Sequence, residues 1–340
     1  MKKMAVLCSA ALCASLCASL CGCDSQTSGN GYKVAIVKQM THSSLDEITD
    51  AICAELDRIA EEEGITIDYG EVYDGQNDQA QLTTISSQVV AGQPDVIIPV
   101  ATLAAETMAI AAEEENIPVV FAAISDPASA GLADLNYVTG TSDALDTEKM
   151  MDMMFASDPS IETVGLLYSR SEVNSEKPIA EAKAYLEDKG IAYVEATGNT
   201  ADELLSAAGT LLSRVDAVFT PTDNTVMASE NAIAEMLLEA GIPHYCGADS
   251  FVYSGAFATC GINYTDLGTK TADLAYAVMS LGMESLSTFE MEGTRKEDNY
   301  YVLDGNIITV NTETAEQGDF DYSAFGDFGE VQEVVTGEGQ

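Results

Sequence analysis

Residues 216–248, "DAVFTPTDNTVMASENAIAEMLLEAGIPHYCGA", decide the fold. The run Ala217-Val218-Phe219 is apolar and rich in strand-forming side chains, so it reads as a buried strand. Pro221 and the polar group Thr222 to Thr225 end it. Apolar residues at helical spacing follow, from Val226 to Leu238, and Gly241 stops them before a second short run, Ile242 to Cys246. Strand, polar tip, helix and strand make one βαβ unit, whose strands lie parallel through a right-handed crossover. One capping side chain suffices to begin a helix, yet Thr222, Asp223, Asn224 and Thr225 all compete for that task.

The same unit recurs along the chain. "YKVAIVKQM", "ITIDYGEVYD", "DVIIPVA" and "IPVVFAAIS" read as strands, with a helix after each of the first three. The first of those helices, over 43–63, has Leu45, Ile48, Ile52, Leu56 and Ile59 three or four residues apart and ends at Gly64. After "NYVTGTSD" and a methionine-rich helix around 146–156 the rhythm restarts with "TVGLLYS", "IAYVEAT", "DAVFTPT" and "IPHYCGA". Two such blocks predict an α/β fold of two doubly wound parallel-sheet lobes joined by a hinge. The expected lobes are 32–142 plus 256–285, and 143–255 plus 286–315. Residues 316–340 are acidic and Gly-bearing and read as a flexible tail.

The chain has 340 residues, room for two domains and a sizeable core. Its 14 Lys+Arg against 56 Asp+Glu give a formal charge of −42, which repels phosphate backbones and excludes nucleic acid as a partner. The N-terminus opens with Lys2 and Lys3, runs apolar, and reaches Leu20-Cys21-Gly22-Cys23. That pattern is a lipoprotein signal over 1–22 with the lipid on Cys23, followed by a polar tether over 23–31. The outer face of a bacterial cell membrane is then the expected location. Cys53, Cys246 and Cys260 remain in the folded part, an odd number without metal-site spacing. Only Cys246 and Cys260 are left as a pair that a bridge could join. No cofactor or metal is expected.

The crowding at 222–225 is repeated at other strand ends. The first strand empties into Thr41-His42-Ser43-Ser44, the next tips carry Thr102 and Ser125-Asp126, and the later ones carry Ser169 to Asn174 and Asp249-Ser250. In a parallel sheet these tips share one side, where such folds hold their ligands. Helix N-termini after Thr102 and around Thr41 to Ser44 suit a ligand carboxylate. Asp126, Asp223 and Asp249 suit a ligand amine. The combination fits a zwitterion such as an amino acid, although each Asp or Thr singly reads equally well as a plain helix cap. Tyr137, Phe251, Tyr253 and Tyr264 lie near the crossings and could stack on an aromatic ligand; taken one at a time they fit core packing better.

The elements "TVGLLYSRSEVNS", "VFTPTDNTV", "PVVFAAISDPASAGL" and "YVTGTSD" resemble the signatures of bacterial ABC-transporter substrate-binding lipoproteins, the tryptophan- and tyrosine-type family. The resemblance spans roughly 32–285. It implies a type I periplasmic-binding-protein fold, with Thr102, Ser125, Asp126, Asn174, Thr222, Asp223 and Asp249 facing a ligand. Thr41, His42, Asn224 and Ser250 complete the candidate set. It further implies an ABC permease and its ATPase as partners of a monomeric, lipid-anchored protein. Relatives carry Glu-His-Pro where this chain has Thr41-His42-Ser43, so the ligand can differ.

Enzymatic readings find little support. The chain lacks G-x-G-x-x-G after a strand, a G-x-x-x-x-G-K-[ST] loop and a G-x-S-x-G elbow. His42 and His244 are the two histidines; His42, beside Ser43 and Ser44, lacks an obvious orienting acid, and His244 reads as a structural residue of the "IPHYCGA" strand. A ligand-sensing or adhesive surface lipoprotein on the same scaffold is the alternative, with a hydrolase-type enzyme behind it.

Overall fold

Residues 31–305 and 307–337 are described in a computed structural model, and there the apolar runs become strands. The expected signal segment, Cys23 and the expected tether up to residue 30 lie outside the described residues. The first block carries β1 (Gly31–Lys38), β2 (Thr66–Asp68), β3 (Tyr73–Asp74), β4 (Val96–Val100), β5 (Val119–Ala122) and β6 (Val138–Ser142). The second carries β7 (Thr163–Ser169), β8 (Ala192–Gly198), β9 (Ala217–Thr220), β10 (His244–Cys246) and β11 (Ala258–Gly261). The last four are β12 (Thr294–Lys296), β13 (Tyr301–Leu303), β14 (Ile307–Asn311) and β15 (Glu330–Val334).

One sheet runs β12-β13-β6-β5-β4-β1-β2, with β3 also on β1; the other runs β15-β14-β11-β10-β9-β7-β8. The pairs β1–β4, β4–β5, β5–β6, β7–β8, β7–β9, β9–β10 and β10–β11 are parallel. β12 and β14 are the antiparallel additions. Both faces of the central strands are covered, as continuous apolar runs require. In β1, Val34 and Ile36 pack toward Ile48 and Ile52 of the helix Ser43–Glu63. Ala35 and Val37 pack on the other face with Leu82, Ile85 and Met108. The helix Tyr264–Leu281 lies so close to Ser43–Glu63 that a Cβ on Gly268 would stand 2.5 Å from the Ile48 carbonyl oxygen.

Several boundaries differ from the sequence expectation. "ITIDYGEVYD" is two short strands, because Gly70 turns the chain at φ 57. The stretch 224–239 is two helices, Asn224–Met227 and Glu230–Glu239. Residues 256–285 do not belong to one lobe: β11 joins the second sheet, and only the helix Tyr264–Leu281 packs in the first lobe. Likewise β12 and β13, within 286–315, extend the first sheet, while β14 joins the second. The chain therefore crosses between lobes three times, after β6, after β11 and after β13.

The described part of the expected loose tail, 316–337, is ordered into the second lobe. β15 pairs in parallel with β14, and Phe325 is fully buried. Its ring and that of Phe320 pack on Phe257, with centroids 5.8 and 5.1 Å away. Acidic composition pointed to disorder, but four aromatic rings within nine residues (Phe320, Tyr322, Phe325 and Phe328) supply enough apolar area to order the segment.

Candidate functional site

The carboxyl ends of the two sheets face each other, and the side chains at those tips meet. His42 Nε2 lies 3.1 Å from Asn224 Oδ1. The hydroxyls of Ser44 and Ser250 are 2.6 Å apart, and those of Ser125 and Thr222 are 2.9 Å apart. Gln39 Nε2 donates to Glu172 Oε1 at 3.4 Å. Each contact joins the first lobe to the second.

Local geometry explains why these tips can converge. Ala101 and Ala123, at the ends of β4 and β5, hold positive φ values of 74° and 58°. Such backbone is strained for a residue with a Cβ and persists where the surroundings enforce it. On the other lobe, a Cβ on Gly247 would stand 2.5 Å from the Thr222 nitrogen, so glycine lets the tips of β9 and β10 approach. His42 occupies the N-cap of Ser43–Glu63 without a side-chain capping bond.

A central pocket of about 10 Å³ is lined by His42, Ser125, Asn174, Thr222, Asp223 and Asn224. Leu45, Met227, Phe251 and Tyr264 form its apolar wall. Asn174 also lines an adjoining chamber of about 250 Å³, shared with Thr102, Gln39 and Glu172. Neither lining includes a lysine or an arginine.

Four buried side-chain atoms along this seam have no partner: His42 Nδ1, Thr102 Oγ1, Asn174 Oδ1 and Asp249 Oδ1. Buried polar atoms are rarely left so. Hydrogen-bond geometry assigns most of their roles. Asn224 Nδ2 donates to Glu172 Oε2 at 2.9 Å, so its Oδ1 is the acceptor facing His42. His42 Nε2 therefore carries the proton, and Nδ1 is a bare acceptor in the neutral ring. Asn174 Nδ2 donates to the Thr222 carbonyl at 2.7 Å, which leaves its Oδ1 accepting. With Asp249, three acceptors lack a donor.

The electrostatics run the same way. Burial lowers His42 to about 4, so the ring is neutral at ordinary pH. Burial, then the charge of Asp223, raises Glu172 to about 7. Burial, then Glu47, raises Asp249 to about 8. Burial also raises Asp143 and Asp223. A cluster of carboxyls without a cation favours a ligand that brings positive charge and N–H donors.

The candidate residues divide. His42, Ser125, Asn174, Thr222, Asp223 and Asn224 come together at the central pocket, Thr102 lines the chamber beside it, and Ser250 meets Ser44 across the lobes. Asp249 is buried next to Ser250 and feels the charge of Glu47 of the first lobe, but lines neither cavity. Thr41 does not join them; it is exposed and donates to Asp74 of its own lobe at 2.6 Å. Asp126 caps its own turn, accepting from Ser129 N and Oγ at 3.2 and 2.7 Å. Asp223 reaches the pocket, but Ser169 N, Ser175 Oγ, Thr225 N and Val226 N already saturate it. The helix end at Thr102 is partly used too, since Leu103 N donates to Gln39 Oε1 at 2.9 Å.

Gln39, Asp143 and Glu172 are buried members of the seam that sequence reasoning missed. Glu172 had a signal, because it lies inside the quoted "SEVNS" element. Asp143 had one too, as the last residue of the quoted "YVTGTSD" element, whereas Gln39 looks like an ordinary strand-end polar residue and had none. Cys53, Cys246 and Cys260 are free thiols, so the bridge left open for Cys246 and Cys260 is not formed. Among the described residues no His, Cys, Asp and Glu grouping could hold a metal ion, and no helix is long and apolar enough to cross a membrane.

Comparison with known proteins gives a consistent picture. The family model described as ABC transporter substrate binding protein matches residues 33–288. A curated relative, "Tyrosine-binding protein" of Clostridioides difficile (strain R20291), is 29% identical over 289 residues, 82% of each chain. The crystal structure of an ABC domain in complex with L-Trp from Streptococcus pneumonia superposes with a TM-score of 0.74. It is 28% identical and covers 89% of this chain and 100% of that one. The ligand-free, open structure of a substrate binding protein with adhesive properties from Clostridium difficile gives 0.62. It is 27% identical, with 90% and 99% covered.

Proposed function

We propose that the seam captures one aromatic amino acid, from the premise that this chain belongs to the family of ABC transporter substrate binding proteins. The family is one of extracytoplasmic solute-binding proteins, not enzymes, and the fold is that of type I periplasmic binding proteins.

The observation that carries the proposal is the set of bare acceptors: His42 Nδ1, Asn174 Oδ1 and Asp249 Oδ1. An α-ammonium group supplies three N–H donors and the positive charge that the buried carboxyls lack. The ligand carboxylate is assigned to Thr102, Ser125 and Thr222, whose hydroxyls can donate. Its ring is assigned to the wall of Leu45, Met227, Phe251 and Tyr264. The chamber of about 250 Å³, a little below the roughly 300–1,000 Å³ of typical small-molecule sites, adjoins the central pocket at Asn174. The names of the tyrosine-binding and L-Trp-bound relatives support an aromatic side chain.

Closure is assigned to rotation about the three crossings. In support, the chain superposes better on the L-Trp complex than on the open structure at nearly equal identity, as a hinge rotation between alike lobes would produce. In this reading Cys23 carries a lipid that tethers the monomer, and the loaded protein delivers its solute to an ABC permease and its ATPase. An adhesive role is the second reading, favoured by the adhesive properties stated for the Clostridium difficile relative.

A thermal-shift and calorimetric screen of the twenty amino acids is the test. L-tyrosine or L-tryptophan should raise Tm and be recovered unchanged, and Asn174→Ala should cut the affinity about tenfold or more. An aromatic set that leaves Tm unmoved, beside a clear shift from another solute class, would remove the proposal.

A further inference from the structure

Three buried oxygens stand in a row across the lobes. Asp143 Oδ1 lies 2.8 Å from Ser125 Oγ, which lies 2.9 Å from Thr222 Oγ1. Asp143 follows β6 and Ser125 follows β5, both in the first lobe, while Thr222 follows β9 in the second. The other carboxyl oxygen, Oδ2, accepts from the Tyr264 hydroxyl at 3.1 Å. Burial, then the charge of Asp143, pushes the Tyr264 phenol well up, so it remains a donor.

The hydrogens available decide what this row presents to the cleft. With Asp143 ionised, two hydroxyl hydrogens serve two contacts: Ser125 donates to Asp143, and Thr222 donates to Ser125. Both are consumed, and Thr222 turns only lone pairs to the central pocket that it lines. A protonated Asp143 adds a third hydrogen. Because Tyr264 keeps Oδ2 an acceptor, that proton sits on Oδ1 and points at Ser125. Ser125 then donates to Thr222, and the Thr222 hydrogen is spare.

The surroundings favour the protonated form. Burial raises Asp143 against the pull of its own hydrogen bonds. It shares the central pocket with Asp223 and with His42, which is neutral at ordinary pH. Where Asp143 borders the hinge, Asp146, Glu181 and Asp304 offset Lys149, Lys177 and Arg295, so no net positive field holds it ionised. Glu47 and Asp249, felt by Tyr264, bring no positive charge either.

We propose that Asp143 is a positioning residue for the ligand carboxylate: carrying a proton, it turns the Ser125 hydroxyl toward Thr222 and leaves the Thr222 hydrogen to donate into the cleft. This rests on the assignment of that carboxylate to Thr102, Ser125 and Thr222. Thr222 makes the bond, and Ser125 relays its direction.

The test joins infrared spectroscopy to L-tryptophan calorimetry on the full chain. The infrared difference between wild type and Asp143→Asn, both loaded with L-tryptophan at pH 7, should contain a carboxylic-acid C=O band belonging to the wild type. A carboxylate band in its place overturns the proposal. Asp143→Ala should weaken L-tryptophan about tenfold or more. Asp143→Asn should recover most of that loss, since its amide donates to Ser125 while its oxygen accepts from Tyr264. In a Thr222→Val background the cost of Asp143→Ala should shrink to about threefold or less, because no hydroxyl hydrogen is left to turn. Equal costs in both backgrounds, or Asp143→Asn as weak as Asp143→Ala, overturn the proposal. Should Asp143→Ala fail to fold, the infrared band and the affinity of Asp143→Asn decide it. If wild type does not bind L-tryptophan, the aromatic reading of the cleft falls, and the same band in ligand-free spectra upholds or overturns the proton on Asp143.

Discussion

His42 and Asn224 meet at 3.1 Å across the two lobes, and that contact sets the protonation of the ring. Asn224 is oriented by its own donation to Glu172, so it can only accept from His42. A neutral imidazole with Nδ1 bare is the result, and burial keeps it neutral down to about pH 4.

His42→Ala should therefore weaken ligand binding by about 1–3 kcal/mol, since an acceptor and an interlobe contact go together. The stability sign follows from the lowered pKa. Stability from the neutral ring is present above the ordinary value near 6.5 and is lost as pH falls through about 4. His42→Gln should flatten the fall in denaturation midpoint over that window. A variant with the wild-type acid slope removes His42 as its source.

Asp249 and Glu172 carry the opposite sign. Their folded values of about 8 and about 7 lie above the ordinary carboxylate range, so protonation favours the folded state. That stabilisation is present at low pH and is lost as pH rises through 7 to 8. An ammonium ligand favours the ionised acids, so binding near pH 7 should release protons. Calorimetry in two buffers of different ionisation heat measures the release, and Asp249→Asn should reduce it. Buffer-independent heats would contradict the assignment of the ligand amine to these carboxyls.

Asp223 is expected to act on the fold more than on the ligand. Its two oxygens accept four donors, two of them at the start of the helix Asn224–Met227 and two from the neighbouring tip at Ser169 and Ser175. Asp223→Ala should lower unfolding free energy by about 2–4 kcal/mol, adding a lost cap to unpaired buried donors. Urea denaturation checks it. Wild-type stability with reduced affinity would return Asp223 to the ligand.

Cys23→Ser should move the protein from the membrane fraction to the soluble one, because the lipid is the proposed tether. Fractionation and immunoblotting read the outcome. A variant that stays with the membrane would remove Cys23 as the anchor.

Much of this protein was written in local pattern. Short apolar runs alternating with helical periodicity dictate parallel strands under crossover helices, and parallel strands place their polar ends on one side. That logic led from "PTDNT", "ISDP" and "SEVNS" to tips that do meet, at Ser125, Asn174, Thr222 and Asn224. What no local pattern contains is which oxygen is already spoken for. Thr41, Asp126 and Asp223 have the same side chains as useful ligands, yet their neighbours in space consume them. Gln39 gained its place only when distant strands folded beside each other. Sheet membership after residue 255 was likewise settled by long-range pairing, which puts β11 and β14 in one sheet and β12 and β13 in the other. Local chemistry chose the elements; the competition of donors for acceptors in three dimensions chose the site.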